Sequence, residues 1–388
     1  MASTTYPEES SVERFRRQLS DLMVIEEYEV MKPPEEVIAY RGRVRGDTGT
    51  AFERISAGFR EQGYTAMLRH WQDEKHKVLA VKGIQESEPS NPWVNVALFL
   101  ATLVTVLFIG ASNALLFARD IRGVDVPVSF TSILRHLHWG IPFAAALMGI
   151  LLAHEFSHYF VARRYESPVS LPYFIPMPNL LGTMGAVITQ KAPMRDRKAL
   201  FDIGVAGPLG GLVVAIPLLI LGLSLSAVQA PPAGIEQAYQ EGNSLLYLAA
   251  KYLVFGEILP SNGMDVWVHP VAFAAWAGLL VTMINLIPVG QLDGGHVSYS
   301  VLGRTAWPVG YVLIAAMSAW GGFLLLRGNQ AGALWALWGF LNLLLNRKHP
   351  PPLNDVTPVN RGRVAVGIVM LVIFILTFMP SPLRIVSF

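Results

Sequence analysis

The sequence predicts a polytopic all-α membrane fold, a bundle of about seven transmembrane helices with a re-entrant β-hairpin, preceded by a small α/β domain. Three observations predict it. Of the 388 residues, 52% are hydrophobic and only 15% are charged, and the mean hydropathy is +0.41, too apolar for a water-soluble chain of this length. Apolar stretches of spanning or near-spanning length recur from residue 93 onward. Nearly half of the charged residues, 27 of 58, lie before residue 85, where no such stretch occurs. Net charge is only +2, which argues against a nucleic-acid or strongly acidic partner, and the absence of cysteine excludes disulfides, thiolate catalysis and Cys-rich zinc sites.

Residues 1–10 read as disordered. Val37–Tyr40 and Val78–Val81 read as strands, and Thr65–Trp71 as a further strand. Between them Phe52, Ile55 and Phe59 recur at helical spacing, with Gly63 as the stop. The order is βαββ-like. The expected division is a soluble α/β domain over 1–85, regulatory or substrate-recruiting, a polar linker over 86–92, and a transmembrane domain over 93–388.

The expected spans are 93–118, 140–162, 200–226, 268–289, 306–326, 329–346 and 364–380. Leu171–Thr189 is apolar too, but Pro172, Pro176, Pro178, Gly182 and Gly185 are incompatible with a regular helix. A hairpin is expected there, re-entering the membrane where protein or a wet cavity surrounds it. Arg163, Arg164, Lys191, Arg195, Arg197 and Lys198 flank the second and third spans, and Arg347, Lys348, Arg361 and Arg363 precede the last. Placing both groups in the cytoplasm puts the N-terminus inside, although Arg119, Arg122 and Arg135 then fall outside. With no signal or transit peptide in the opening residues, the plasma membrane of a prokaryote is the expected location.

The chemistry lies in His154-Glu155-Phe156-Ser157-His158, near the end of the second span. On a helix, HExxH sets two imidazoles at i and i+4 on one face, spaced for one Zn²⁺, with the glutamate beside them. Ionisable side chains this deep in an apolar run are costly unless functional. A catalytic zinc needs a third protein ligand, and the best candidate is Asp293, in Asn285-Leu286-Ile287-Pro288-Val289-Gly290-Gln291-Leu292-Asp293-Gly294-Gly295-His296. There Pro288 and Gly290 break the fourth span and can turn a carboxylate inward. Glu155 is the expected general base for hydrolysis of a peptide bond. Two other readings stay open: Asp293 paired with Arg304, and a structural zinc site with His296 as fourth ligand.

HEFSH followed in a later span by NxxPxxxLDGGH resembles the site-2 protease family of intramembrane zinc metalloproteases, peptidase family M50. Gly182-Thr183-Met184-Gly185-Ala186, Gly207-Pro208-Leu209-Gly210-Gly211 and the proline-rich hairpin are similar to elements of that family. With its soluble N-terminal domain and no inserted PDZ or CBS module, the chain looks most like the EGY-type branch. The resemblance is strong over residues 140–300. It implies one Zn²⁺ per chain held by His154, His158 and Asp293, Glu155 as catalytic base, and regulated proteolysis of single-pass membrane proteins within the lipid bilayer. It also implies that Asn285 lies near the active site, where it could orient the substrate backbone. Many members carry Asn where this chain has Gly211. Gly182, Gly185, Val187 and Ile188 are expected to offer a strand edge to an unwound substrate. The rivals are a metal or proton transporter using the same His/Asp cluster, and a protease-like scaffold without activity.

Overall fold

The computed structural model describes residues 11–31, 37–83, 91–232, 236–345 and 348–387. The disordered stretch expected at 1–10 and nearly all of the linker expected at 86–92 lie outside the described residues. The chain divides into two compact units.

The N-terminal unit contains α1 (Ser11–Ser20), β1 (Met23–Met31), β2 (Val37–Val44), α2 (Thr48–Glu61), β3 (Tyr64–His70) and β4 (His76–Lys82). The strands form one antiparallel sheet in the order β1-β2-β4-β3. The Asp47 carboxylate accepts the Thr50 amide at 2.7 Å and starts α2, whose buried Phe52, Ile55 and Phe59 meet Phe15 and Leu19 of α1 in one core. Gly63, at φ +79°, turns the chain out of α2. The expected βαββ order is β2-α2-β3-β4. The additions are α1, mostly charged apart from its two buried residues, and β1, whose acidic residues disguise an edge strand. Arg41 holds two of these, Glu27 at 2.7 Å and Glu29 at 2.6 Å.

Two distant segments, Lys191–Leu200 and Pro350–Val359, belong to this unit as well, so it extends well beyond the 85 residues expected from sequence. Leu68 and Leu353 share a backbone hydrogen bond of 2.8 Å, and the Asp355 amide donates to the Leu68 carbonyl at 3.1 Å. Leu353 and Asn354 donate to the carbonyls of Met194 and Arg195. Arg197 pairs with the buried Asp355 at 3.1 Å, and Val356 joins the core.

The second unit is mainly helical: α3 (Pro92–Arg122), α4 (Phe130–Arg135), α5 (Ile141–Arg164), α6 (Arg197–Ser224), α7 (Leu245–Phe255), α8 (Pro270–Asn285), α9 (Asp293–Leu302), α10 (Ala306–Leu326), α11 (Ala331–Leu345) and α12 (Arg361–Thr377). All seven apolar segments expected from sequence are helical. Among the described residues four helical stretches are long and apolar enough to cross a membrane: Pro92–Arg122, Leu137–Arg164, Arg197–Ser224 and Asp293–Leu326. The others are shorter. At 1.5 Å per residue the 16 residues of α8 reach about 24 Å, because the chain breaks at Leu286–Leu292.

Between α5 and α6 the proline-rich stretch forms an antiparallel hairpin of β5 (Tyr173–Pro176) and β6 (Thr183–Val187). Its tip is fixed on α3, where the Thr105 hydroxyl donates to the Gly182 carbonyl at 2.7 Å. The main core lies among α5, α6 and α8 and includes Leu147, Leu151, Leu212, Leu219 and Ala275.

Two small ribbons that the sequence reading did not anticipate follow α6: β7 (Ala227–Gln229) with β9 (Asp265–Trp267), and β8 (Gln237–Glu241) with β10 (Leu383–Ser387). Lys251 of α7, 1% exposed, joins them: its Nζ lies 3.4 Å from Glu241 Oε1 and 4.0 Å from Asp265 Oδ1. The Tyr247 hydroxyl donates to the same Glu241 oxygen at 2.8 Å. Burial raises the Glu241 pKa, and Lys251 opposes that rise. A lysine so deep is tolerated because it is paired.

Candidate active site

The site is built on α5. His154 and His158 stand one turn apart with Glu155 between them, and all three are buried, at 3%, 5% and 4% exposure. The partner surface is α6, and its glycines explain the close fit. A Cβ added at Gly207 would lie 1.9 Å from His158 Nε2, and one at Gly210 would lie 2.0 Å from Ser157 Oγ. One at Gly211 would lie 3.3 Å from His154 Nδ1. The Gly207-Pro208-Leu209-Gly210-Gly211 run is therefore the smooth face against which the HExxH helix packs.

Asp293 comes from the break between α8 and α9. Pro288 ends continuity with α8, and the chain folds back so tightly that a Cβ at Gly294 would sit 2.1 Å from the Leu286 carbonyl oxygen. One at Gly295 would lie 2.3 Å from the Gly290 oxygen. The glycines after Asp293 are thus required by backbone contact, and the fold-back presents the carboxylate to α5.

The distances define a donor triangle. His154 Nε2 and His158 Nε2 are 3.2 Å apart. Asp293 Oδ2 is 3.2 Å from His154 Nε2, and Oδ1 is 3.2 Å from His158 Nε2. Asp293 Oδ2 is buried yet accepts no hydrogen bond. His158 Nδ1 lies 2.7 Å from the Ile203 carbonyl, which can only accept, so Nδ1 carries the proton and Nε2 keeps its lone pair in the neutral ring. Tetrahedral zinc with bonds of about 2.0–2.1 Å separates its ligand atoms by about 3.3 Å, close to the spacing of the two imidazole nitrogens and to that of each from its nearer Asp293 oxygen. The residues fit the ion. No other group of three or more possible ligands comes together among the described residues.

Glu155 is beside the triangle, and its carboxylate accepts a hydrogen bond from the Ile188 backbone N–H, at the end of β6. The Asn285 Nδ2 lies 3.3 Å from His154 Nε2, so its amide faces the same space. Of the hairpin residues, Gly185 (φ +103°) has open space where a side chain would project, and Val187 is 47% exposed. Gly182 instead faces α3, since a Cβ there would lie 2.8 Å from the Thr105 carbonyl oxygen. His296 stays out of the donor group; its Nδ1 lies 2.6 Å from His349 Nε2. Sequence reasoning missed the Ile203 carbonyl, which as backbone leaves no side-chain signal. It also missed the contact role of Gly207, which its position in a glycine-rich run signals.

At one end of the bundle Arg363 of α12 grips Asp202 of α6 with two hydrogen bonds, Nε–Oδ1 at 2.8 Å and Nη2–Oδ2 at 2.7 Å. The Tyr165 hydroxyl, just beyond α5, donates to the same carboxylate. Burial, and then Asp202, push the Tyr165 hydroxyl above its ordinary pKa. Of the basic residues expected to mark one membrane face, Arg363 lies in this cluster.

Comparison with known proteins agrees with this geometry. Residues 142–326 match the model of Peptidase family M50. The chain is 30% identical over 315 residues to the probable zinc metalloprotease EGY1, chloroplastic, of Oryza sativa subsp. japonica, covering 76% of this chain and 52% of that protein. It is 26% identical over 365 residues to the probable zinc metalloprotease EGY2, chloroplastic, of Oryza sativa subsp. indica, covering 90% and 63%. It is 27% identical over 263 residues to the probable zinc metallopeptidase EGY3, chloroplastic, of Arabidopsis thaliana, covering 62% and 43%. The chain therefore spans between two fifths and two thirds of the length of these relatives. No solved structure matches. All three relatives are named as chloroplastic and lend no support to the prokaryotic plasma membrane expected from sequence. With the HExxH helix, the Asp293 fold-back and the glycine face of α6 all inside or beside the matched region, the chain belongs to peptidase family M50, the site-2 protease family, as an EGY-like member.

Proposed function

We propose that the chain is an intramembrane zinc metalloprotease that hydrolyses peptide bonds within or near the transmembrane segments of single-pass membrane proteins. The observation that carries this reading is the donor cluster of His154, His158 and Asp293, the two Nε2 atoms 3.2 Å apart and each 3.2 Å from one Asp293 oxygen, with the Glu155 carboxylate held beside it by Ile188. In this reading these three residues hold one Zn²⁺ and leave a fourth position open. The bound ion lowers the pKa of a water and polarises the scissile carbonyl. Glu155 takes up a proton at its carboxylate and returns it to the leaving amine, while the Ile188 N–H fixes which oxygen is free to do so. Ile203 holds the His158 ring in the tautomer that leaves Nε2 unprotonated. Asn285 donates its amide to the substrate carbonyl, and the free edge of β6 beside Gly185 and Val187 pairs with the unwound substrate backbone.

The membrane arrangement belongs to the same proposal. Seven helices cross the bilayer: α3, α5, α6, α8, α10, α11 and α12, with the β5–β6 hairpin re-entrant among them. The Tyr165–Asp202–Arg363 cluster marks the cytoplasmic end, and the N-terminus shares that side. The N-terminal unit regulates access or recruits substrate. A transporter would string ionisable groups along a path, whereas these converge at one point.

The test is zinc content and cleavage of a single-span substrate in lipid vesicles, for the full chain and for Glu155→Gln. The expected result is one zinc in both and cleavage only by the unaltered chain. Robust cleavage by Glu155→Gln overturns the mechanism.

A further inference from the structure

Two cavities outside the zinc site adjoin one another. The first, about 320 Å³, is apolar and lies between the hairpin tip (Leu180, Leu181), α8 (Phe273, Trp276, Leu280) and Leu334 of α11. The second, about 620 Å³, lies between the β8–β10 and β7–β9 ribbons; its lining is still largely apolar (Met264, Val266, Trp267) but adds Gln240, Glu241, Asn262 and Asp265 to the walls. Tyr239 and Arg384 line both. Arg384 is anchored through Nε to Gln240 Oε1 at 2.7 Å, and Tyr239 is 61% exposed, so the two cavities share a wall with a polar edge.

The position of the first cavity relative to the zinc site follows from α8. Asn285, whose amide meets His154, ends that helix, and Leu280, Trp276 and Phe273 lie five, nine and twelve residues earlier. At 1.5 Å per residue they stand about 8 to 18 Å from the donor triangle along the helix axis. The hairpin spans the same interval, from Ile188 beside Glu155 to its tip at Leu180 and Leu181. An extended chain advances about 3.3 Å per residue, so a strand laid along β6 from the zinc enters this cavity at about its third residue and leaves it near its sixth.

We propose that the two cavities form one exosite for the substrate's membrane boundary on the side away from the Tyr165–Asp202–Arg363 cluster. Apolar residues of its transmembrane segment, about the third to the sixth from the scissile bond, fill the cavity beneath Leu334. The polar residues that follow pass Tyr239 and Arg384 into the ribbon cavity. This rests on the reading of the chain as an intramembrane protease. The occupant is argued from continuity with the β6 edge and from the added polar groups: the carboxylates and amides of the ribbon cavity follow the more apolar first cavity in the order in which a transmembrane segment meets its flanking residues. The exosite would fix where along a substrate the cut falls, because the boundary must sit at Arg384 for the scissile bond to reach the zinc.

The experiment places p-benzoylphenylalanine at Leu334 of the first cavity, Val386 of the second or, as control, Leu326 (89% exposed) in full-length Glu155→Gln. Each protein is reconstituted with a single-span substrate in phosphatidylcholine vesicles. Irradiation is expected to join position 334 to substrate residues three to six from the cleavage site and position 386 to the polar residues beyond, with lipid adducts alone at 326. In the active protein, Leu334→Trp should raise KM about tenfold for a substrate with large apolar residues in that interval, with kcat and zinc content unchanged, and alanines there should restore KM. Lipid adducts alone at 334, or an unchanged KM, overturn the exosite. Substrate adducts at 334 without cleavage by the active protein support the exosite and overturn the protease reading. Cleavage with no substrate adduct at 334 overturns the exosite alone.

Discussion

Gly207 faces His158 so closely that a methyl group on its α-carbon would lie 1.9 Å from Nε2, the nitrogen turned toward the donor triangle. His158 cannot yield without breaking its 2.7 Å bond to the Ile203 carbonyl, because both ring nitrogens face α6 or the site. Gly207→Ala is therefore expected to abolish zinc binding and cleavage together. Gly322→Ala on α10, where an added Cβ meets nothing within 4 Å, should leave both intact. Zinc analysis of the two purified variants checks this, and full zinc in Gly207→Ala would show that the two helices separate readily.

Ligand and base should part by mutation. His154→Ala, His158→Ala and Asp293→Ala each remove one corner of the triangle and should lower zinc content. Glu155→Gln keeps the corners and should retain zinc while slowing cleavage by about 10²–10⁴-fold, the usual worth of a positioned proton carrier. Zinc stoichiometry measured beside single-turnover cleavage distinguishes the two classes.

The end of β6 makes two different offers to its neighbours. The Ile188 N–H is taken by Glu155, so Ile188→Pro should lower kcat by disorienting the base. Val187 is half exposed beside the open space at Gly185, so Val187→Pro should weaken substrate pairing and raise KM, while Val187→Ala stays mild. Separate kcat and KM values for the three variants decide. Identical kinetics in all of them would remove strand pairing from the mechanism.

His76 gives the N-terminal unit a dependence on pH. Its Nδ1 accepts the Val44 amide at 3.3 Å, which requires a neutral ring, and burial, His70 and Arg43 all lower its pKa. The unfolded chain binds a proton below about pH 6.5 and the folded unit does not, so acid favours unfolding. Stability from this group is complete above about pH 6.5 and is lost as pH falls through that value toward the folded pKa. Amide exchange in β2 and β4 of the full chain, corrected for intrinsic rates, should quicken between pH 7.5 and 5.5. His76→Gln should flatten the change.

The donor triangle was legible because its signals are local. His154 and His158 are set by helical repeat, and Asp293 by the proline and glycines that break the chain around it. The βαββ core and the hairpin were legible for the same reason, through periodicity and proline density. Segments whose structure depends on distant partners left no such trace. β1 carries three glutamates and reads as a loop until Arg41 opposite is known. The three-residue strands β7 and β9 exist only because each supplies the other's hydrogen bonds. Lys251, in a helix otherwise apolar, signals nothing until Glu241 and Asp265 are brought to it.

The pairing of Leu68 with Leu353 has a consequence for biosynthesis. A ribosome has made the first strands of the N-terminal sheet long before Leu353, Asp355 and Val356 exist, so the nascent unit waits, incomplete, while most of the membrane helices are inserted. It closes only when both Lys191–Leu200 and Pro350–Val359 have joined residues 11–83, which in the proposed arrangement requires all three to lie on one side of the bilayer. A helix inserted in the wrong sense would strand one of these segments across the membrane and leave the domain open to quality-control proteases. In that arrangement a completed N-terminal unit reports that the intervening helices have been threaded correctly.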